Sequence, residues 1–422
     1  MKKDNIVIPK LKGARVLFVG PYPPPFGGIA QHIDTLIPDL VKADVDDIAV
    51  VSFGKENRTE NINGITIYRF NIKLNIWRIL SLLKFSLIAK VIKEFRGQGL
   101  SQYFIIREVI KAIIVDIVAT KHKSNVVSSY MSTTSLTLLP LNKYWYGSKG
   151  ILLTVYGEIF EDPEFFSKYK NIVNKLLLIP DYVISSSCHC ANSFKQIGNN
   201  RPIEPVFIGV ELDDFINKEK GNRFRESHGI QRDKLLVFFM GRMIKDMGLD
   251  VVLDTAEALL SSESMVHLLI AGASGALTSR AYELAKQYPE RVMVFENISS
   301  QQKVEFYGAA DIVTAPSFNM RACMGISIKE AMAASLPVVA GAGGGIPEAV
   351  VDGVTGLLVP VNASGSVDEA KYLTALRKLI NDSELRRHFG NAGRKRAENI
   401  FSHNITNHRY AEMIRASVKA HL

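Results

Sequence analysis

Cysteine is scarce in this chain: 422 residues contain three, Cys188, Cys190 and Cys323. An odd, sparse count argues against a disulfide framework and fits a reducing, cytosolic compartment. Long apolar runs are absent too. No eighteen consecutive uncharged apolar residues occur, so no membrane-spanning helix is expected. The opening MKKDNIVIPKLKGARVLFVG is not expected to be a signal peptide, because IVI is too short and ARVLFVG reads as a folded strand. Metal-ligand spacing is missing as well. Cys188-His189-Cys190 has no second ligand pair at a usual distance, so it reads as small residues at a strand end, and no metal is expected. Negative charge is in deficit, with 51 Lys and Arg against 42 Asp and Glu, a formal +9. That excess suggests an anionic partner: nucleotide, nucleic acid or anionic lipid. No alternation of basic and aromatic residues typical of a nucleic-acid reader appears, so nucleic acid is the weakest of the three.

What is present is globular: 47% hydrophobic and 22% charged residues, with length for two ordinary domains. Short β-rich runs alternate with amphipathic helices. RVLFVG, DIAVVSF, ITIYRF, NVVSSY, ILLTVYG, YVISS and PVFIG make the first series. KLLVFFMG, HLLIAGASG, VMVFE, DIVTAPS, PVVAGAGGG and GLLVP make the second. Such alternation predicts parallel sheets with helices on both faces, and the near-continuous apolar strands fit sheets buried on both sides. One sheet would need about a dozen strands, so two doubly wound α/β domains are expected. Their seam is expected where VELDDFINKEKGNR turns polar, and ligands in such folds bind beyond the carboxyl ends of the strands. With two such domains, the cleft between them is the natural active site.

One turn stands out. After KLLVFF come Gly241, Arg242, Lys245 and Gly248, and then Leu249, Val252, Leu253, Ala256, Leu259 and Leu260 at helical spacing. A helix N-terminus with free N–H groups, plus two full positive charges, makes an anion site suited to a diphosphate. Gly-Lys-Ser/Thr and GxGxxG are both absent here, so neither a Walker loop nor a dinucleotide fingerprint is present. The other reading of this turn alone is a solvated basic loop. A second segment adds weight: APSFNMRACMGISIKEAMAASLPVVAGAGGGIPEAVVDG, residues 315–353. Glu330 sits there on a predicted helix after a strand end, where it can accept hydrogen bonds from a ribose diol, although a lone helical Glu is usually solvated. Gly343, Gly344 and Gly345 allow a close backbone approach.

These residues, with PYPPPFGG near the start and FIGVELDDF at 207–215, resemble the large family 4 of retaining glycosyltransferases. The resemblance implies the GT-B architecture, two Rossmann-like parallel-sheet domains facing a cleft. The amino-terminal acceptor domain would span 1–208, with a crossing carboxyl-terminal helix over 403–422. The nucleotide-sugar donor domain would span 209–402. It implies transfer of a sugar from a nucleotide-sugar to an acceptor hydroxyl with retention, without a metal, in polysaccharide or glycolipid assembly. Arg242 would stabilise the departing diphosphate charge, the expected main catalytic contribution. Glu330 would hold the ribose. Gly343, Gly344 and Gly345 would offer backbone N–H groups, Gly241 and Ile326 would line the donor site, and Gly27 and Gly28 would face the phosphates.

The pattern also departs from the family. Met247 stands where a lysine is usual, Ala322 where the first of two glutamates eight apart is usual, and Tyr156 where a histidine is usual. Lys245 can reach the oxygen that the missing lysine would serve. Tyr156 can hydrogen-bond a sugar hydroxyl, with Glu158 assisting. Nothing evident replaces Ala322, though Arg321 and Cys323 flank it. Two readings follow: an active transferase with a divergent site, or a degenerate homologue that binds a nucleotide or partner without turnover.

Residues 71–123 carry a net +7 of the chain's +9. Trp77, Phe85 and Phe95 lie among Arg78, Lys84, Lys90 and Lys93, a pattern that suits an anionic membrane surface and equally an ordinary sheet-packing helix. Ile105, Ile106, Val109, Ile110, Ile113, Ile114, Ile117 and Val118 form one helical stripe that fits packing on a sheet. If the first pattern is a membrane-docking face, replacing Lys84, Lys90 and Lys93 together with glutamate should weaken sedimentation with anionic vesicles by tenfold or more, at roughly 1 kcal/mol for each lysine near the surface. Unchanged sedimentation removes the membrane reading.

Overall fold

A computed structural model describes residues 7–23, 28–72, 95, 99–131, 149–215, 217–362 and 365–421. The basic stretch containing Trp77, Lys84, Phe85, Lys90 and Lys93 lies outside the described residues, as does Gly27. The chain divides into two compact units, 1–207 with 406–422, and 208–405.

The first unit holds an eight-stranded sheet in the order β3-β4-β2-β1-β5-β6-β7-β8. Its strands are β1 (Arg15–Val19), β2 (Asp47–Phe53), β3 (Arg58–Ile62), β4 (Ile65–Phe70), β5 (Val126–Tyr130), β6 (Gly150–Val155), β7 (Tyr182–Ser185) and β8 (Glu204–Pro205). All pairings are parallel except β3 with β4. Alternation along a strand feeds both faces: Leu17 and Val19 enter one apolar cluster, Val16 and Phe18 the other. The Gln102–Lys121 helix packs on the first of these through Ile105, Val109, Ile110, Ile113, Ile114 and Val118. Ile106 and Ile117, expected in that stripe, are exposed. The antiparallel β3 was not expected, because RTENI offers no apolar face. The expected strand over 205–209 does not form; only Glu204 and Pro205 pair with β7. The last helix, His403–Ala420, fixes itself to the first unit through Tyr410 Oη with Ser128 Oγ (2.5 Å) and Asn407 Nδ2 to Asp39 Oδ2 (2.8 Å).

The second unit has a parallel six-stranded sheet in the order β11-β10-β9-β12-β13-β14. Its strands are β9 (Leu235–Met240), β10 (Val266–Gly272), β11 (Val292–Glu296), β12 (Ile312–Ala315), β13 (Val338–Gly341) and β14 (Gly356–Val359). Each expected run of the second series is a strand. The chain winds outward to β11, then returns to the other side of β9 at β12. Winding therefore reverses between β9 and β12, where the loops at the strand ends part.

The two ends of this unit are strapped together. Val210 N–H donates to Phe401 O (2.8 Å), and His403 N–H donates to Val210 O (3.2 Å). Lys329, fully buried on the Ile326–Ala333 helix, donates to Ile208 O (2.5 Å) and lies over the Phe401 ring. Burial lowers the Lys329 pKa to about 8. Below that pH the ammonium is charged in folded and unfolded chains alike, so its burial penalty is fully present. Between about 8 and 10.5 the folded chain releases the proton first, and stability rises with pH. Urea unfolding should therefore show the wild type gaining roughly 1–3 kcal/mol relative to Lys329→Met between pH 7 and pH 10. A difference independent of pH contradicts this.

Candidate active site

Four loops leave the carboxyl ends of adjacent strands in the second unit: 241–248 after β9, 273–277 after β10, 316–325 after β12 and 342–345 after β13. They approach backbone to backbone. A Cβ on Gly272 would lie 2.0 Å from Gly241 O, and one on Gly248 would lie 2.2 Å from Pro316 O. On Gly343 it would meet the Phe318 carbonyl carbon at 2.6 Å, and on Gly344 the Ala322 oxygen at 2.4 Å. Contacts this short admit no side chain. Gly248 also needs its positive φ of 79°, because it ends the Lys245–Met247 turn and starts the Leu249–Ser262 helix.

Hydrogen bonds stitch the loops. Met243 N–H donates to Ala273 O (2.8 Å), and Leu277 N–H donates to Met243 O (2.9 Å). Across the point where winding reverses, Ser317 Oγ donates to Asp246 O (2.7 Å) and Asn319 Nδ2 to Asp246 Oδ2 (2.9 Å). Gly345 N–H donates to Ala322 O (2.6 Å). The glycines thus serve the chain's own packing first. The expectation that all three of Gly343, Gly344 and Gly345 offer N–H groups to a ligand is corrected at Gly345, whose N–H is taken.

Arg242 is exposed at this turn; its carbonyl accepts from Ile244 N–H (2.8 Å), and its guanidinium has no hydrogen-bond or ion-pair partner among the described residues. Lys245 is also exposed, with its Nζ 4.0 Å from Asp250 Oδ2. Asp250 occupies the first helical turn, where its charge complements the helix N-terminus. Burial raises the Asp250 pKa, and hydrogen bonding from Val251 N–H opposes the rise. The helix end is therefore less open to an external anion than its sequence suggested. Met247 packs partly buried against the core of the second unit, so its uncharged side chain is used in packing.

Glu330, on the Ile326–Ala333 helix, is 4% exposed. Its Oε1 accepts from Lys303 Nζ (2.5 Å) and its Oε2 from Tyr307 Oη (3.0 Å). Ile326, half-buried, opens the same helix after Gly325. Gly241, Arg242, Lys245, Ile326, Glu330, Gly343 and Gly344 are thus gathered at or beside the loops of the β9–β12–β13 edge.

The remaining expected residues belong to the first unit. Gly28 starts the Gly28–Lys42 helix. One turn on, buried His32 brings Nδ1 within 3.1 Å of Tyr156 Oη. Tyr130 stacks on Tyr156, and Tyr130 and Tyr410 each meet His32 edge-on. Glu158 is 4% exposed and accepts the Tyr156 N–H at 2.6 Å. That bond closes the turn after β6, a use for Glu158 that the sequence did not suggest. Arg69 holds the start of PYPPPFGG, donating to Tyr22 O (2.8 Å) and Pro23 O (2.5 Å) while pairing with Glu60 (2.6 Å). His32, Arg69, Lys303 and Tyr307 escaped sequence reading because their partners lie 124, 46–47, 27 and 23 residues away. Cys188 and Cys190 open a short helix after β7 whose first turn is capped by Ser187. Among the described residues no group of three or more His, Cys, Asp and Glu comes together in a way that could hold a metal.

Residues 221–396 match the family described as Glycosyl transferases group 1. The D-inositol 3-phosphate glycosyltransferase of Corynebacterium aurimucosum is 37% identical over 177 residues, 40% of this chain and 40% of the relative. The match therefore spans less than half of that relative's length. Among solved structures, sucrose-phosphate synthase from Thermosynechococcus elongatus has a TM-score of 0.75 at 17% identity, covering 96% of this chain and 100% of that one. Anabaena HepE, solved in complex with UDP, has a TM-score of 0.68 at 17% identity, covering 95% and 100%. The fold shared with both is the GT-B fold with its two parallel-sheet domains.

Proposed function

Residues 221–396 belong to the glycosyl transferases group 1 family, and from that premise we propose that this protein transfers a sugar from a nucleotide-sugar to an acceptor hydroxyl, with retention and without a metal ion. The observation that carries the reading is Arg242. It is a solvent-facing cation without a protein partner among the described residues, on a turn fixed by backbone packing where the sheet reverses its winding. Breaking a sugar–phosphate bond builds negative charge on the diphosphate, and a guanidinium carried on a fixed turn can bind that charge bidentately. Lys245 adds a second, mobile charge. Glu330 accepts from the ribose, and the N–H groups of Gly343 and Gly344 lie at the donor. That HepE was solved with UDP supports a nucleoside diphosphate as the donor's leaving half. On the acceptor side, Tyr156, steadied by His32, meets sugar hydroxyls. The acceptor is a carbohydrate or a lipid-linked carbohydrate, and the working location is the cytoplasm or its membrane surface. No described helix is long and apolar enough to cross a membrane.

Met247 packed against the core and Ala322 at its family position favour a second reading, a homologue that binds a nucleotide or a partner without turnover. Calorimetry with UDP, GDP and ADP tests the donor site that both nucleotide readings share. The expected result is micromolar binding of one nucleotide, weakened at least tenfold in Arg242→Ala. Turnover of the matching nucleotide-sugar then separates transferase from binder. Absence of binding to all three overturns the donor site.

A further inference from the structure

The Glu330 carboxylate is held by two residues of one helix. Lys303 and Tyr307 are four apart on the Ser300–Ala309 helix, so they share a face. Lys303 Nζ lies 2.5 Å from Oε1, and Tyr307 Oη lies 3.0 Å from Oε2. Both donors are themselves immobilised. The Lys303 ammonium sits over the Phe215 ring, 5.6 Å from its centroid. Tyr307 is fully buried, edge-on to Phe215 and Phe238, and its hydroxyl also reaches Ser327 O at 3.1 Å. The helix bearing them is set by a glycine crossing: a Cβ on Gly221 would lie 2.1 Å from the Gly308 carbonyl carbon. Burial and the adjacent Glu330 raise the Tyr307 pKa well above its ordinary value, so its hydroxyl stays a donor.

A carboxylate has about four acceptor positions, and one donor on each oxygen leaves about two. Two is the number of acceptor positions that the adjacent hydroxyls of a ribose would need. We infer that Lys303 and Tyr307 are positioning residues that fix Glu330 as a preorganised acceptor for a cis-diol, so that the protein selects ribonucleotides over their 2′-deoxy counterparts. This rests on the nucleotide-sugar reading above. A flexible Glu330 would lose entropy on binding and adapt to one hydroxyl nearly as well as to two; a clamped one cannot, and discrimination follows. Lys303 and Tyr307 touch no ligand in this account and act through Glu330.

The test is calorimetric binding of UDP, GDP and ADP and of their 2′-deoxy forms to the wild type, Lys303→Met, Lys303→Arg and Tyr307→Phe. The wild type should favour the ribo form of its nucleotide roughly tenfold or more, as loss of a hydrogen bond to a charged group implies. Lys303→Met and Tyr307→Phe should each reduce that ratio severalfold while leaving affinity for the deoxy form unchanged, and Lys303→Arg should restore most of it. A merely structural role would lower ribo and deoxy binding together. That result, or a ratio the variants leave unchanged, overturns the inference. A wild-type ratio near one overturns this inference and leaves the donor site standing. No binding of any of the six nucleotides overturns both.

Discussion

The second unit depends on one constraint: the loops at the carboxyl edge of its sheet touch through their backbones. Side chains are missing at 248, 272, 343 and 344 because carbonyl groups of the neighbouring loops already occupy the space a Cβ would take. Interiors are close-packed and respond stiffly to added volume, so this contact holds the loops firmly against one another. Arg242 inherits its position from that frame. A single exposed arginine on a free loop would have little meaning as a site; here the turn that carries it is locked by Gly272 against Gly241 and by Gly248 against Pro316, so its backbone anchor is placed while its side chain stays free to meet a ligand.

Around that frame the charges are arranged with some opposition. Asp250 occupies the first turn of the helix that follows Arg242, and Lys245 leans towards it. Glu330 is buried and already holds two donors. A nucleotide would therefore meet one unpartnered guanidinium, one exposed ammonium, and a carboxylate whose geometry is set before anything binds. Met247 adds packing and no charge. Few charged groups on a fixed backbone, in place of many charges, are the physical character of the candidate site.

The strands were legible in the sequence because they are buried on both faces, so KLLVFF or DIAVVSF could be little else. β3 was not, since RTENI lies at a sheet edge and buries almost nothing. The 205–209 run misled because its apolar residues continue past the sheet after Pro205. The glycines announced a close approach without saying to what, and the structure answers that they approach the chain itself. Residue pairs across long separations stayed hidden: His32 with Tyr156, Arg69 with Tyr22 and Pro23, and Lys303 with Glu330. Periodicity reports which face an element buries, not which distant side chain it will meet.

Amide hydrogen exchange with and without a nucleoside diphosphate tests the frame most directly. If the interlocked loops hold the diphosphate, exchange should slow within 241–248 and at Gly343 and Gly344, and the rest of the second unit should change little. Nucleotide-dependent protection confined to other segments, with 241–248 and 342–345 exchanging as before, would contradict the account.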